Sequence, residues 1–266
     1  MSGAPLMAEM TWPEVEAAAA RGAVALWSVG ATEQHGPHLP LSVDTLIPHE
    51  LSLLLAARLD LVIAPPQVFG SRSRALSGGG QGFPGTTSLR AETLIAVVAD
   101  VVGELARSGF ARIAIVNWHG ENVNLLWAGV DRARERGELG AAQVMLVERV
   151  FNAFSEEELD FLFADAREGF PGWPAEHAAI METSLVMALR PELVRTDLIA
   201  DDHSAERPFY EVIPTPPEHV AESGVLAEAS KASPEKGARL VDLIVTRLAA
   251  ALREGLDAPP TPSTGR

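Results

Sequence analysis

Four short runs rich in Val, Ile, Leu and Ala punctuate the first 150 residues of the chain: AVALWSVG at 23–30, LVIAPP at 61–66, ARIAIVN at 111–117 and AQVMLVE at 142–148. Each reads as a buried strand, and the segments between them are long enough for amphipathic helices. That alternation predicts an α/β layered fold. Helices are expected at Pro13–Arg21, 46–59, Ala91–Ser108 (closed by Gly109), Asn122–Arg136, 155–166, 178–189 (ended by Pro191) and Pro234–Leu252. Ser233 supplies the N-cap of the last one. A Gly- and Ser-rich loop runs from Gln67 to Ser88. The stretch 200–230, with four prolines, reads as an irregular excursion over the surface. Nothing else reads as a boundary, so one domain is expected over 1–256, with residues 257–266 a disordered tail.

Composition narrows the function classes. Asp and Glu outnumber Lys and Arg 36 to 21 in 266 residues, a formal charge of −15. Such a surface repels phosphate backbones and anionic lipid, which argues against nucleic-acid and membrane partners. There is no cysteine, so disulfides, thiolate metal sites and a cysteine nucleophile are excluded. The absence fits a reducing cytoplasm. The N-terminus lacks a basic region followed by an apolar run, and no stretch is long and apolar enough to span a bilayer.

Imidazoles and carboxylates concentrate in three segments. GATEQHGPHLPLSVDT (30–45) follows the first strand and carries Glu33, His35, His38 and Asp44. NWHGEN (117–122) follows the third strand and carries His119 and Glu121, and EHAAIMETS (176–184) carries Glu176, His177 and Glu182. In open α/β sheets ligands bind beyond the carboxyl ends of strands, where the first two segments lie. Glu33 and His35 are two apart and so share a side in an extended chain, and His119 and Glu121 repeat the spacing. Glu33, His35, Asp44, His119 and Glu121 are a donor set for zinc or manganese. Five donors exceed what one catalytic zinc uses and suit two ions sharing a carboxylate, with a water or hydroxide between them. The short Asp44 is the candidate bridge. Read singly, each residue has a plainer explanation: a histidine after a strand is commonly structural, Asp44 could cap a helix entered through Thr45 and Leu46, and Glu182 could serve its own helix. His38 is expected to be a structural partner. His49, His203 and His219 are expected to be surface or structural residues.

EQHGPHLPLSVDT, SGGGQGFPGT, NWHGEN, GWPAEHAAIMETS and SPEKG, spread from residue 30 to 237, together resemble the creatininase family. The resemblance implies a three-layer α/β/α fold around a central, mainly parallel sheet. It also implies two divalent ions per chain, zinc and/or manganese, and a homo-oligomer, usually a hexamer. It assigns Glu33, Asp44 and His119 to one ion and His35, Asp44 and Glu121 to the other. His177 becomes the proton shuttle, a task suited to imidazole, and Glu182 a supporting residue. The implied activity is hydrolysis of a non-peptide C–N bond in a small-molecule amide, with creatinine opened to creatine as the leading reaction. Ser77, in a loop that lacks the Lys-Ser/Thr ending of a phosphate-binding loop, Trp173, which core packing or a lid explains equally well, and Trp118 are candidate substrate contacts.

The chain departs from creatinine-opening members at the substrate end. Gly120 stands where they carry Tyr, Trp118 where they carry Gly, and Pro174 where they carry an acid. Their pair of lid tryptophans is reduced to Trp173; around the other position the chain reads LVERVFNAF, with Glu148, Arg149, Phe151 and Phe154 nearby. A different small amide or a formamide is therefore the second enzymatic reading. A metal-binding protein without catalysis is the third, opposed by the joint presence of Glu121 and His177.

Overall fold

The structure, a computed structural model, describes residues 4–78, 80–148, 154–167, 169–202 and 210–259. Four strands form one sheet, β1 (Val24–Val29), β2 (Leu61–Gln67), β3 (Arg112–Asn117) and β4 (Gln143–Val147), in the order β2-β1-β3-β4. Every neighbouring pair is parallel. Parallel strands need crossover helices, and these cover both faces.

Side chains alternate across the sheet with the period of two that a pleated strand imposes. Val24 and Leu26 of β1, Ala114 and Val116 of β3 and Leu61 and Ile63 of β2 enter one core. That core is completed by α2 (Val43–Leu55), α6 (Ile180–Leu189) and α7 (Pro234–Leu256). On the other face Trp27, Val29 and Ile115 pack against α3 (Ala91–Arg107) and α4 (Val123–Glu135), while Ala25, Val62 and Ile113 pack against α1 (Trp12–Ala20). The result is three layers, α/β/α. A further short helix, α5 (Glu156–Phe163), is capped by Ser155 and docks through Glu158, whose two oxygens each accept 2.8 Å hydrogen bonds from Arg247.

Helix boundaries depart from the expectation in informative places. Helix α2 begins at Val43, so Asp44 lies inside its first turn and is not its N-cap. Pro48 sits within the helix. Its missing N–H would have bonded the Asp44 carbonyl, and that carbonyl faces Gly30, where any Cβ would come within 2.2 Å of it. Helix α6 starts at Ile180 instead of 178, and α7 runs to Leu256 instead of Leu252. Residues 257–259, expected in the tail, are packed: Asp257 closes α7 in a left-handed conformation, Ala258 is buried, and the Pro259 carbonyl accepts from Asp60 N at 2.9 Å. The rest of the expected tail, 260–266, lies outside the described residues, as do Gly79, Arg149, Phe151 and His203. Among the described residues of 200–230 there is one 3-10 turn, Pro217–His219. No helix among the described residues is long and apolar enough to cross a membrane.

Candidate metal centre

Strands β1 and β3 are neighbours, with Val29 opposite Asn117. The chain leaves β1 for α2 on one face of the sheet and leaves β3 for α4 on the other. The gap between their carboxyl ends is thus a topological switch point, the place where open α/β sheets bind ligands. Asn122 ties the two ends together: its amide donates to Gly30 O at 3.0 Å and to Asn117 Oδ1 at 3.1 Å. Loop 30–42 is folded on itself by Glu33 N to Leu41 O at 2.9 Å. Chain direction and a few short bonds therefore bring Glu33, His35, Asp44 and His119 to one point.

Ligand atoms of Glu33, Asp44 and His119 all lie within 4.8 Å of one another, and all three residues are buried. Nδ1 of His119 is 3.0 Å from Glu33 Oε2 and 3.2 Å from Asp44 Oδ2. The other oxygen of Asp44 is 3.5 Å from His35 Nε2. The two oxygens of one carboxylate thus face two imidazoles, the disposition of a bridge. Each imidazole has its other nitrogen fixed by a backbone carbonyl. His35 Nδ1–H donates to Glu33 O at 3.1 Å, and His119 Nε2–H donates to Ser71 O at 3.2 Å. Such bonds set the tautomer and orient the remaining nitrogen as a metal ligand.

The donors fit divalent ions on two further counts. His35 Nε2 and Asp44 Oδ2 are buried without a hydrogen-bond partner, a costly state unless something else occupies them. Without an ion, protons do that work. Burial favours neutral His35, but Asp44 and Glu182 outweigh it and hold the ring's pKa up at about 10. Burial likewise opposes charge on His119, and Glu33 and Asp44 overcome it, so its pKa stands well above the ordinary value. Burial would raise the carboxyl pKa of Glu33 and of Asp44; facing imidazoles hold both below the usual range. Protons here occupy positions that divalent ions would take.

The other expected residues distribute unevenly. A second cluster within 4.8 Å joins His35 to His177 and Glu182, and Glu121 is not in it. Glu121, on a 3-10 turn after β3, reaches no closer than 3.7 Å to His119, at Nε2, and accepts a hydrogen bond from Ser77 Oγ. Glu182 has both oxygens engaged, by Trp118 Nε1 at 2.9 Å and Ala178 N at 2.8 Å, so it serves as a clamp. Trp118 is buried through that bond. Phe154, one of the residues near the missing lid position, lies 5.7 Å from Trp173, ring to ring, and Phe170 lies 4.7 Å from it. His38 is fully buried against Thr183 Oγ1 at 2.9 Å, and burial pushes its pKa down to about 4, as a neutral structural residue requires.

Glu33, Asp44, His119, Glu121, Glu182, Trp118 and Trp173 border one cavity of about 1070 Å³, whose wall also includes Ser77, Gly120, Glu148, Glu176 and His177. Three participants escaped sequence reasoning. Gln34 packs its amide against His177, donating to Gly224 O at 2.9 Å and to Gly78 O. Ser73 donates to Glu33 Oε1. Arg74 pairs with Glu211 at 3.2 Å where both line the cavity. Gln34 lies inside the motif itself, which was the available signal; Ser73 and Arg74 lie in a loop without periodicity and had none.

The creatininase family model, described as creatinine amidohydrolase, matches residues 8–252. Creatinine amidohydrolase of Pseudomonas putida is 38% identical over 98% of this chain and 100% of its own length. A mycofactocin precursor peptide peptidase of Mycobacterium ulcerans is 30% identical over 90% of this chain and 86% of its own. A Zn–Zn form of a creatininase variant matches with TM-score 0.90 and 37% identity, over 96% of this chain and 99% of that one. A structure titled creatininase Mn matches with TM-score 0.89 and 36% identity, over 95% and 98%. Fold, donor set and relatives define a hydrolase of C–N amide bonds. The chain belongs to the creatininase family.

Proposed function

We propose that the chain hydrolyses a small cyclic amide with the help of two divalent ions, creatinine opened to creatine being the favoured reaction. The observation that carries this is the pair of tautomer-fixed imidazoles, His35 and His119, facing opposite oxygens of Asp44 at the β1/β3 switch point. Glu33, Asp44 and His119 would hold one ion. His35 and Asp44 would hold the other with Glu121, whose Oε2 lies 3.7 Å from His119 Nε2, whereas both oxygens of Glu182 are engaged. Zinc or manganese, when bound there, would supply a Lewis acid for an amide carbonyl and a water of lowered pKa.

The protein's own groups do the rest. Nε2–H of His177 donates to the carbonyl of Gln34 at 2.9 Å, because a carbonyl only accepts; Nδ1 is then the basic nitrogen. His177 takes a proton there and delivers it to the departing nitrogen. Trp173, with Phe154 and Phe170 behind it, forms an apolar wall over the amide, and the Ser77 hydroxyl fixes Glu121 at the edge of the cavity.

A second reading, another small amide or a formamide, is favoured by Gly120. A Cβ built there meets nothing within 4 Å, so the wall is open where creatinine-opening relatives place a Tyr. A cavity of about 1070 Å³ is also generous for so small a ring, small-molecule sites running from roughly 300 to 1,000 Å³. The test is elemental analysis of the purified chain together with turnover of creatinine, a lactam panel and formamides. Two ions per chain with creatinine turnover is the expected result. Turnover only of another amide selects the second reading, and a fully loaded chain inert on the whole panel overturns the hydrolase assignment. Following the family, we also infer a homo-oligomer, a hexamer, acting on its small-molecule substrate in the cytoplasm; light scattering on the eluted protein checks the oligomer.

A further inference from the structure

Two described non-glycine residues adopt positive φ, Ala178 at 54° and Asp257 at 49°. Asp257 closes the end of α7, where left-handed residues belong. Ala178 has no such excuse. It is fully buried, it precedes α6, and a side chain in this region clashes with its own backbone. Strain of this kind persists only where the surroundings over-determine it, and it gathers at functional sites.

The surroundings of Ala178 do over-determine it. Its N–H donates to Glu182 Oε2 at 2.8 Å, and its carbonyl accepts from Thr183 Oγ1 at 3.3 Å. Thr183 Oγ1 is in turn backed by buried His38 at 2.9 Å. On the upstream side Glu176 Oε1 accepts from Met181 N at 2.5 Å, and the His177 carbonyl accepts from Leu226 N at 3.2 Å. The Ala178 methyl is part of the core shared by α2, α6 and α7. The turn so fixed carries His177, whose ring is held from its other side by Gln34.

We propose that Ala178 is a strained elbow that positions His177, with Glu182, Thr183 and Glu176 as its clamps. This rests on the reading of His177 as the proton-transfer group. An alanine serves where glycine would relieve the strain because its buried methyl denies the turn other conformations. The elbow therefore trades backbone ease for a fixed imidazole, and the two halves of that trade separate experimentally.

The experiment uses the full chain loaded with zinc. Ala178→Gly removes the Cβ clash, so the melting temperature stays within about 2 °C of the parent or rises. It also frees His177, so kcat on creatinine, or on whichever panel amide is turned over, falls about 10- to 100-fold with KM and metal content little changed. The imidazole resonances of His177, assigned by their loss in His177→Ala, broaden or split in Ala178→Gly; this readout needs no substrate. Thr183→Val loosens the turn in the same way, and Thr183→Ser, which restores the hydroxyl, recovers the parent behaviour. Parental kcat together with unchanged His177 resonances in Ala178→Gly overturns the elbow. Parental turnover in His177→Ala instead overturns the role of His177 itself, whatever the Ala178 variant does, while the resonances still report whether the turn is a positioning device.

Discussion

At the scale of single residues, the candidate centre holds protons where cations would sit. Asp44 and its neighbours hold His35 up at about pKa 10 and His119 well above its ordinary value, so both rings are protonated at neutral pH when no ion is bound. A ligand nitrogen must give up its proton before it can coordinate. Metal affinity should therefore climb with pH across 6–9, and uptake at pH 7 should release about two protons per chain. The same sign governs the ion-free protein. The stabilisation from raised His35 is fully present below pH 6.5 and is lost as pH rises through about 10. Calorimetric titration of zinc in buffers of different ionisation enthalpy counts the protons, and a count near zero would show that these rings are not the ligands. The i, i+2 spacing made Glu33 and His35, and again His119 and Glu121, legible as donors. It said nothing of Gln34, which stands between the first two. Loop 30–42 turns back on itself through Leu41, so a residue that alternation points away from the ligands reaches His177 instead.

At the scale of elements, strands were easier to read than helix starts. The central runs 23–30 and 111–117 are buried on both faces, and both-sided burial leaves an unbroken apolar run that few other structures produce. Helix α2 carried a misleading mark. Pro48 argues for a helix beginning near it, yet the helix opens at Val43, and the carbonyl that the proline leaves without its N–H faces the bare backbone of Gly30. The fit is tight: a Cβ on Gly30 would approach Asp44 O to 2.2 Å and Thr45 N to 2.5 Å. Backbone on both sides cannot yield without moving the first turn of α2, which carries Asp44. Gly30→Ala should cost about 1–3 kcal/mol in urea unfolding and should lower the metal content as well, since the displaced turn takes the bridging carboxylate with it. Loss of stability with two ions still bound would mean that the first turn of α2 yields without disturbing the donors.

At the scale of the whole molecule, the centre joins parts that sequence separation keeps apart. Glu33 follows β1, Asp44 opens α2 and His119 follows β3, while Glu182, against His35, belongs to α6 in the same core as α2. None of these distances survives unfolding, so divalent ions bind the folded chain and stabilise it by mass action. One site held at a thousandfold excess over Kd contributes about 4 kcal/mol. At roughly 2–4 °C per kcal/mol for a chain of this size, emptying one site should lower the Tm by roughly 8–16 °C, and complete chelation of two by up to about twice that. A chain with formal charge −15 also gains from any cation that screens self-repulsion, and that general effect has to be separated from the specific one. Sodium chloride at tens of millimolar should raise the Tm of the chelated protein only modestly, whereas zinc or manganese at micromolar concentration should restore the full shift, with Tm rising steadily with the logarithm of free ion. A melting temperature indifferent to chelator would mean that the converging carboxylates and imidazoles hold protons in the working protein and not metal.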